Sequence, residues 1–158
     1  MSWPRLNFAD ARLIVSFGAD FLDGWGASVP QQLDFADARA KLENGPRFVY
    51  IGPRRSLTGL NADQWIPCVP GAELAIANFL AGKGGAPTRD QSGVEPAVLE
   101  RLRSDLQAAK PSLVLSGVSM GNAPELASAV TALNQALGNV GSTIRSADAL
   151  GATGVLAL

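Results

Sequence analysis

The residues best placed to do chemistry form a Gly-x-Ser-x-Gly motif that covers residues 117–121. The motif lies between an apolar stretch and an amphipathic one, as a nucleophile elbow lies between a strand and a helix. A serine hydroxyl becomes nucleophilic when a base removes its proton, and in enzymes with this motif the base is histidine. The chain has no histidine, and its lysines fall at predicted helix ends or in a linker. We therefore interpret the motif as a turn of small residues and predict no esterase activity from Ser119.

Metal and redox sites lack their usual ligands in this sequence. Cys68 is the single cysteine, and histidine is absent. Zinc sites and iron–sulfur clusters are held by several cysteine or histidine side chains, and a disulfide needs a second cysteine. The sequence therefore predicts no metal site and no catalysis by the isolated chain.

The composition argues against two further classes of function. Of the 158 residues, 47% are hydrophobic and 17% are charged, and the net charge is -1. Such a balance gives no broad attraction to nucleic acid. No apolar run is long enough to cross a bilayer, and the first residues do not have the pattern of a secretory signal. We expect neither nucleic-acid binding nor direct membrane insertion.

Short apolar runs predict the strands of a sheet. Residues 12–17, 48–51 and 113–115 are almost wholly apolar, as strands buried on both faces are. Residues 65–69 form a fourth extended stretch, and Pro67 inside it predicts a strand at the sheet edge.

Apolar residues at helical spacing lie between these strands. They are Leu33, Phe35, Ala36, Ala40 and Leu42; Leu74, Ile76, Ala77 and Leu80; Val98, Leu99, Leu102 and Leu106; and Ala127, Val130, Leu133 and Leu137. The glycine-rich residues 82–94 are predicted to be a flexible surface connection. The alternation predicts a single α/β domain over residues 1–158, with a Rossmann-like parallel sheet covered by helices on both faces.

Such a sheet binds ligands beyond the carboxyl ends of its strands, at the point where the strand order reverses. We predict that the strands at residues 12–17 and 113–117 are neighbours in the centre of the sheet, because both are apolar throughout. The loops at residues 18–26, 52–63 and 117–122 would then border the ligand crevice.

Three stretches together resemble the molybdopterin oxidoreductase superfamily. Residues 9–22 (ADARLIVSFGADFL) are similar to its first strand and cofactor loop. Residues 48–73, with IGPRRSLT and PGAE, are similar to its second strand, Pro-Arg turn and following helix start. Residues 133–141 (LNQALGNVG) are similar to the end of its last helix. In detail, residues 20–22 and 56–59 look closest to the cofactor-less molybdopterin-like subunit of alternative complex III, a bacterial membrane quinol oxidoreductase.

The resemblance implies a nucleotide site at the carboxyl end of the sheet, where cofactor-binding relatives hold one guanosine half of molybdopterin guanine dinucleotide. By this resemblance, Gly18, Ala19 and Asp20 would face the phosphates; Pro53, Arg54, Ser56 and Thr58 the ribose; and Glu73 the guanine edge. A carboxylate can accept hydrogen bonds from both the ring N–H and the amino group of guanine. The alternative role of Glu73 is to stabilise the positive end of its helix.

Two departures from the family pattern weaken such a site. Relatives usually carry an acidic residue before the Pro-Arg turn, where it holds the ribose hydroxyls, and this chain has Gly52 there. Asp20 places a negative charge where the phosphates would lie. We therefore expect the residues named above to form a vestigial or weak site, and the isolated chain to hold no cofactor.

The function expected from this resemblance is that of a scaffold or interaction domain. It would belong to a molybdopterin-oxidoreductase-like subunit of a bacterial electron-transfer complex, a quinol oxidoreductase of the respiratory chain. Its partners would be other domains or subunits of that membrane-associated complex, on the periplasmic side. The alternative is a molybdopterin guanine dinucleotide-binding domain of a catalytic molybdenum oxidoreductase, with that dinucleotide as cofactor.

Overall fold

The computed structural model describes residues 5–8, 10–19, 22, 28–41, 45–117 and 123–145. In chain order its elements are β1 (Arg5–Leu6), β2 (Leu13–Phe17), α1 (Ser28–Arg39), β3 (Arg47–Ile51), α2 (Leu57–Leu60), β4 (Gln64–Ile66), α3 (Glu73–Leu80), α4 (Arg89–Ser92), α5 (Pro96–Ala108), β5 (Ser112–Ser116), α6 (Ala123–Ala136) and β6 (Ile144–Arg145). Within those ranges, no helix combines the length and the apolar character that a bilayer span requires.

The central sheet has four parallel strands in the order β4-β3-β2-β5. Val15 in the middle of β2 aligns with Val49 of β3 on one side and with Val114 of β5 on the other. The strand order reverses between β2 and β5, so the loops that follow these two strands meet at the carboxyl edge of the sheet. The predicted α/β fold with a parallel sheet is confirmed.

Helices cover both faces of the sheet, because side chains of successive strand residues point to opposite sides. Val15 is fully buried in a cluster with apolar residues of α3, α5 and α6. Its neighbour Ile14 is fully buried in a second cluster, which contains Phe35 and Ala38 of α1. Ile144 of β6 also belongs to the second cluster, and the antiparallel pair of β1 and β6 extends that face.

The predicted pairing of β2 with β5 is confirmed, but the predicted central position of β5 is wrong: among the described strands, β5 lies at an edge. Side chains bind the backbone groups that a neighbouring strand would otherwise bind. Asn134 of α6 accepts from the Val114 N–H with Oδ1 (3.1 Å) and donates from Nδ2 to the Val114 carbonyl (2.8 Å). Asn139 Oδ1 accepts from the Ser112 N–H (3.1 Å), and the Thr143 hydroxyl donates to the Ser112 carbonyl (2.6 Å). An apolar strand can therefore be buried at an edge, because its polar backbone groups are satisfied.

The predicted loop at residues 82–94 contains a helix in its second half. Helix α4 begins with a capping box, in which Thr88 Oγ1 accepts from the Gln91 N–H (3.3 Å) and the Gln91 side chain accepts from the Thr88 N–H (3.0 Å). Ser92 is fully buried, and its carbonyl accepts from the Val69 N–H (2.8 Å). The stretch predicted to be a flexible surface connection thus includes a short helix, because the Thr-x-x-Gln pattern starts a helix despite the glycines around it.

Candidate functional site

A buried hydroxyl holds the loop that follows β2. Ser16 Oγ accepts a hydrogen bond from the Ala19 N–H (3.0 Å) and donates one to the Ala19 carbonyl (2.9 Å). Both residues are completely buried. Gly18 between them has a φ of 69°, a left-handed conformation that glycine adopts without steric cost. Both backbone polar groups of Ala19 are therefore engaged inside the protein.

The loops after β2 and β5 touch at the point where the strand order reverses. A Cβ atom added at Gly117 would lie 2.1 Å from the Gly18 carbonyl oxygen and 2.9 Å from the Ala19 nitrogen. The Gly117 N–H donates to the carbonyl of Phe17 (2.9 Å). This close backbone approach explains the glycine at the start of the Gly-x-Ser-x-Gly motif without any catalytic role. Ser119 itself lies outside the described residues.

The residues predicted to face a ribose differ in their surroundings. Thr58 is fully buried, and its Oγ1 accepts from the Leu22 N–H (3.2 Å). The Leu22 carbonyl accepts from Gln32 Nε2 of α1 (2.9 Å), so hydrogen bonds join α2, the first loop and α1. Pro53 and Arg54 are exposed on the turn before α2.

Tyr50 at the end of β3 organises the Pro-Arg turn, a role that was not predicted from the sequence. Ser56 Oγ donates to the Tyr50 hydroxyl (3.2 Å) and accepts from the Gly59 N–H (3.2 Å) as the N-cap of α2. Added Cβ atoms at Gly52 and Gly59 would lie 3.3 Å and 3.1 Å from the Tyr50 ring. The Gly52 carbonyl accepts from Trp65 Nε1 (3.1 Å). Packing against the tyrosine is thus a physical reason for the glycine that departs from the family pattern.

Glu73, the first residue of α3, is the buried acidic residue of this region. It is 4% exposed, and its Oε2 has no hydrogen-bond partner in the described part of the chain. Burial, together with the charge of Glu73, raises the pKa of the Cys68 thiol to about 12. A buried acceptor without a partner lowers stability by about 1–3 kcal/mol. Such an atom is able to receive a donor from outside the chain.

The structure brings together several parts of the predicted site. The Thr58–Leu22 hydrogen bond holds the first loop against α2. The Cys68 N–H donates to the Gly52 carbonyl (3.4 Å), so the segment that leads to Glu73 runs beside the Pro-Arg turn. Asp20 lies outside the described residues. Within the described ranges, no three His, Cys, Asp or Glu side chains are grouped as a metal site requires.

Sequence signals for Ser16 and Tyr50 were present but weak. Each is a polar-capable residue near the end of an apolar strand, immediately before a glycine-containing turn. Such a residue can hold the turn with its hydroxyl, because the next backbone groups lie within reach.

Comparison with known proteins supports part of the resemblance. No family model matches the chain. The chain is 31% identical over 155 residues to the molybdopterin-binding-like subunit of a menaquinone reductase from Nitratidesulfovibrio vulgaris, and the match covers 80% of this chain and 22% of that subunit. The chain is a distant relative of that subunit.

A solved structure has a similar fold. Acetylene hydratase from Pelobacter acetylenicus superposes with a TM-score of 0.55 at 14% identity, over 91% of this chain and 24% of the hydratase. At this identity the likeness shows the fold alone. The chain spans less than a quarter of either protein. The resemblance is confirmed at the coarse level of distant homology to a molybdopterin-binding-like subunit, and the narrower assignment to alternative complex III stays a prediction.

Proposed function

We propose that this chain is a scaffold and interaction domain of a molybdopterin-oxidoreductase-like subunit in a bacterial quinone or quinol oxidoreductase complex. The proposal is supported by its relative, which is named as the molybdopterin-binding-like subunit of a menaquinone reductase. The isolated chain carries out no redox chemistry. Its partners are other domains or subunits of a membrane-associated complex on the periplasmic side, of the kind represented by alternative complex III.

The observation that carries the proposal is that two backbone donors in the described part of the first loop are already used. Nucleotide phosphates in such folds bind free backbone N–H groups after the first strand. Here the Ala19 N–H donates to Ser16 and the Leu22 N–H donates to Thr58. Ala19 and Thr58 are also fully buried. A phosphate would have to replace these internal hydrogen bonds, which favours a vestigial site.

The contact between Gly18 and Gly117 supports the same proposal. The two loops approach so closely that even one additional carbon atom at Gly117 would overlap the Gly18 carbonyl. A ligand that entered the bottom of the crevice would need the loops to separate. Binding would therefore carry the cost of that rearrangement, which lowers affinity.

One observation favours the second candidate function, a guanine-nucleotide-binding module. Glu73, at the start of α3, offers a buried carboxylate oxygen without a partner in the described part of the chain. The resemblance assigns this position to the guanine contact. A carboxylate recognises guanine over adenine because adenine lacks the matching pair of donors.

Calorimetric titration with GDP, GMP and ADP tests the proposal. We expect GDP to bind no tighter than about millimolar, which corresponds to roughly 4 kcal/mol. Micromolar GDP binding that is lost in Glu73→Ala, but kept in the control Glu100→Ala on α5, would establish the nucleotide-binding function instead. Glu100 is a suitable control because it is exposed.

A second experiment restores the family pattern. We expect Gly52→Asp combined with Asp20→Asn to tighten GDP relative to ADP, because it supplies a ribose acceptor and removes a charge near the phosphates. The Tyr50 ring, 3.3 Å from a Cβ at position 52, must shift slightly to admit the new side chain. Equal affinity for GDP in the double variant and the unmodified chain would argue that no ancestral site remains.

A further inference from the structure

A cavity of about 300 Å³ is lined by residues at the ends of α3 and α6 and in the second half of α5. Helices α3 and α6 each follow a strand of the parallel sheet, so they run back from its carboxyl edge and end near its amino edge. The cavity therefore lies at the opposite edge of the sheet from the crevice predicted to bind a nucleotide. Its volume is at the lower end of the range for small-molecule sites, about 300–1,000 Å³.

The deepest lining residues of this cavity are apolar. Leu80, Leu133 and Leu137 are 5%, 1% and 8% exposed, respectively. All three belong to the larger hydrophobic cluster, which fills one face of the sheet. The cavity thus reaches the margin of the core, where an apolar group of a ligand would be removed from water.

Both charged side chains among the described lining residues are basic. They are Arg103 of α5 and Lys110, which follows that helix. Neither forms an ion pair with another described residue, whereas Arg39, Arg47 and Arg89 each pair with a carboxylate. Two positive charges without a counter-charge, beside an apolar lining, favour an anionic ligand.

Arg103 is held in position by the residues around it. Its guanidinium carbon lies 5.3 Å from the centre of the Phe79 ring. A Cβ atom added at Gly82 would lie 3.6 Å from Arg103 Nη2, so the guanidinium lies beside the backbone of the turn after α3. An arginine that is already held in place loses less conformational entropy when it binds a ligand.

A basic side chain near the carboxyl end of a helix can also stabilise that end without any ligand. At this cavity, backbone groups already bind carbonyls in the last turns of α3 and α6. The Phe79 carbonyl accepts from the Gly82 N–H (3.0 Å), and the Gln135 carbonyl accepts from the Gly138 N–H (3.1 Å). These helix ends therefore do not depend on the two basic side chains as hydrogen-bond donors.

We infer that this cavity binds a small molecule that carries one acidic group on an apolar body, such as a medium-chain carboxylate. The acidic group pairs with Arg103 and Lys110, and the apolar body packs against the three leucines. An amine of the same shape would meet charges of its own sign, and a small polar anion would leave the leucines without a contact. The inference goes beyond the proposed function, because it concerns the opposite edge of the sheet.

Titration with octanoate, followed by NMR spectroscopy of the backbone amides, tests this inference. We expect the signals of Leu80, Gly82 and Leu137 to shift, while those of Gly18 and Gly52 at the carboxyl edge stay in place. Octanoate should bind about tenfold more tightly than acetate or better, because it buries several more methylene groups. Octylammonium has the same apolar chain with the opposite charge and should not bind.

Removal of the charges distinguishes ligand binding from a structural role. Arg103→Gln and Lys110→Gln should each raise the Kd of octanoate about threefold, and together about tenfold. Arg101→Gln is the matched control, because Arg101 is exposed on the same helix and does not line this cavity. Circular dichroism checks that the variants are folded.

Three results would overturn the inference: no saturable shift of these amides at millimolar octanoate, equal binding of octylammonium, or the same Kd for the native chain and both variants. Loss of stability in the variants, without octanoate binding by the native chain, would assign the two basic residues to the helix ends alone. None of these results bears on the GDP titration, which reports on the carboxyl edge.

Discussion

Buried polar groups along the outer edge of β5 have hydrogen-bond partners, whereas a buried oxygen at the start of α3 has none among the described residues. Asn139 Nδ2 donates to Ser112 Oγ (3.0 Å) and to Asn134 Oδ1 (2.9 Å), in addition to the bonds that these asparagines make with β5. Glu73 is almost as deeply buried, but its Oε2 has no partner. In the first region, each of these hydrogen bonds satisfies a polar group of the fold itself. The second keeps an acceptor that the fold does not use, which is typical of a present or former binding site.

The largest effect is expected when the satisfied network is broken. Asn139→Ala removes the partner of the Ser112 N–H and the donor to Asn134, which leaves buried polar groups unsatisfied. We expect the free energy of unfolding to fall by about 3 kcal/mol or more, measured by urea denaturation. Gln135→Ala, at an exposed position on α6, is the control and should change stability little. A loss for Asn139→Ala no larger than for the control would mean that the network does not stabilise β5.

The contact between the two loops at the carboxyl edge gives the next largest effect. Gly117→Ala places a methyl group 2.1 Å from the Gly18 carbonyl oxygen, so the backbone must move. We expect a loss of about 2 kcal/mol in thermal or urea denaturation. At Gly85 an added Cβ meets nothing within 4 Å, so Gly85→Ala should be neutral or stabilising by about 0.5 kcal/mol. Similar losses in both variants would show that the close approach has no energetic consequence.

Glu73, with one unpaired carboxylate oxygen, should respond with the opposite sign. Glu73→Met replaces a buried acceptor that has no partner with an apolar side chain of similar shape. The loss of a favourable helix-end charge is about 0.3–1 kcal/mol, whereas removal of the unpaired acceptor recovers about 1–3 kcal/mol. We expect a net gain near 1 kcal/mol, with Glu100→Met as an exposed control. Destabilisation by Glu73→Met would contradict the contrast drawn between the two regions.

The smallest effect belongs to the exposed ion pair beside α2. The hydrogen bonds from Arg39 hold the pKa of Asp63 below its usual range. Because the folded pKa is depressed, the contribution to stability is present above the unfolded pKa of about 4 and is lost as pH falls through the folded pKa. The pair is partly exposed, so the stability difference between the native chain and Asp63→Asn should stay below about 1 kcal/mol. We expect that difference to be constant from pH 5 to 8 and to shrink as acid protonates Asp63 in the folded chain. A difference that stays the same from pH 8 down to the onset of acid unfolding would rule out this titration.

The sequence predicted which positions would form the candidate site, but it did not predict the hydrogen bonds and packing contacts among them. The resemblance named Ser56, Thr58 and Glu73 as residues of one site, and that assignment stays a prediction. It did not predict that the Thr58 hydroxyl is used by Leu22, because those residues are 36 positions apart and meet only in the folded chain. Nor did it predict that Tyr50 packs against Gly52 and Gly59, since side-chain packing depends on the path of the whole turn.

The sequence alone determined the fold class and the positions of the main strands and helices, because apolar periodicity is a local property of the chain. Pro67 likewise predicted an edge position for β4 from its missing N–H group. Only the tertiary structure decided that β5 also lies at an edge among the described strands. Its sequence is apolar, as the sequence of a central strand is. The groups that bind its backbone in place of a neighbouring strand come from Asn134 and Asn139, which are 20 and 27 residues away from their partners. A strand's sequence records that it is buried, but it does not record whether another strand or a set of side chains satisfies its backbone.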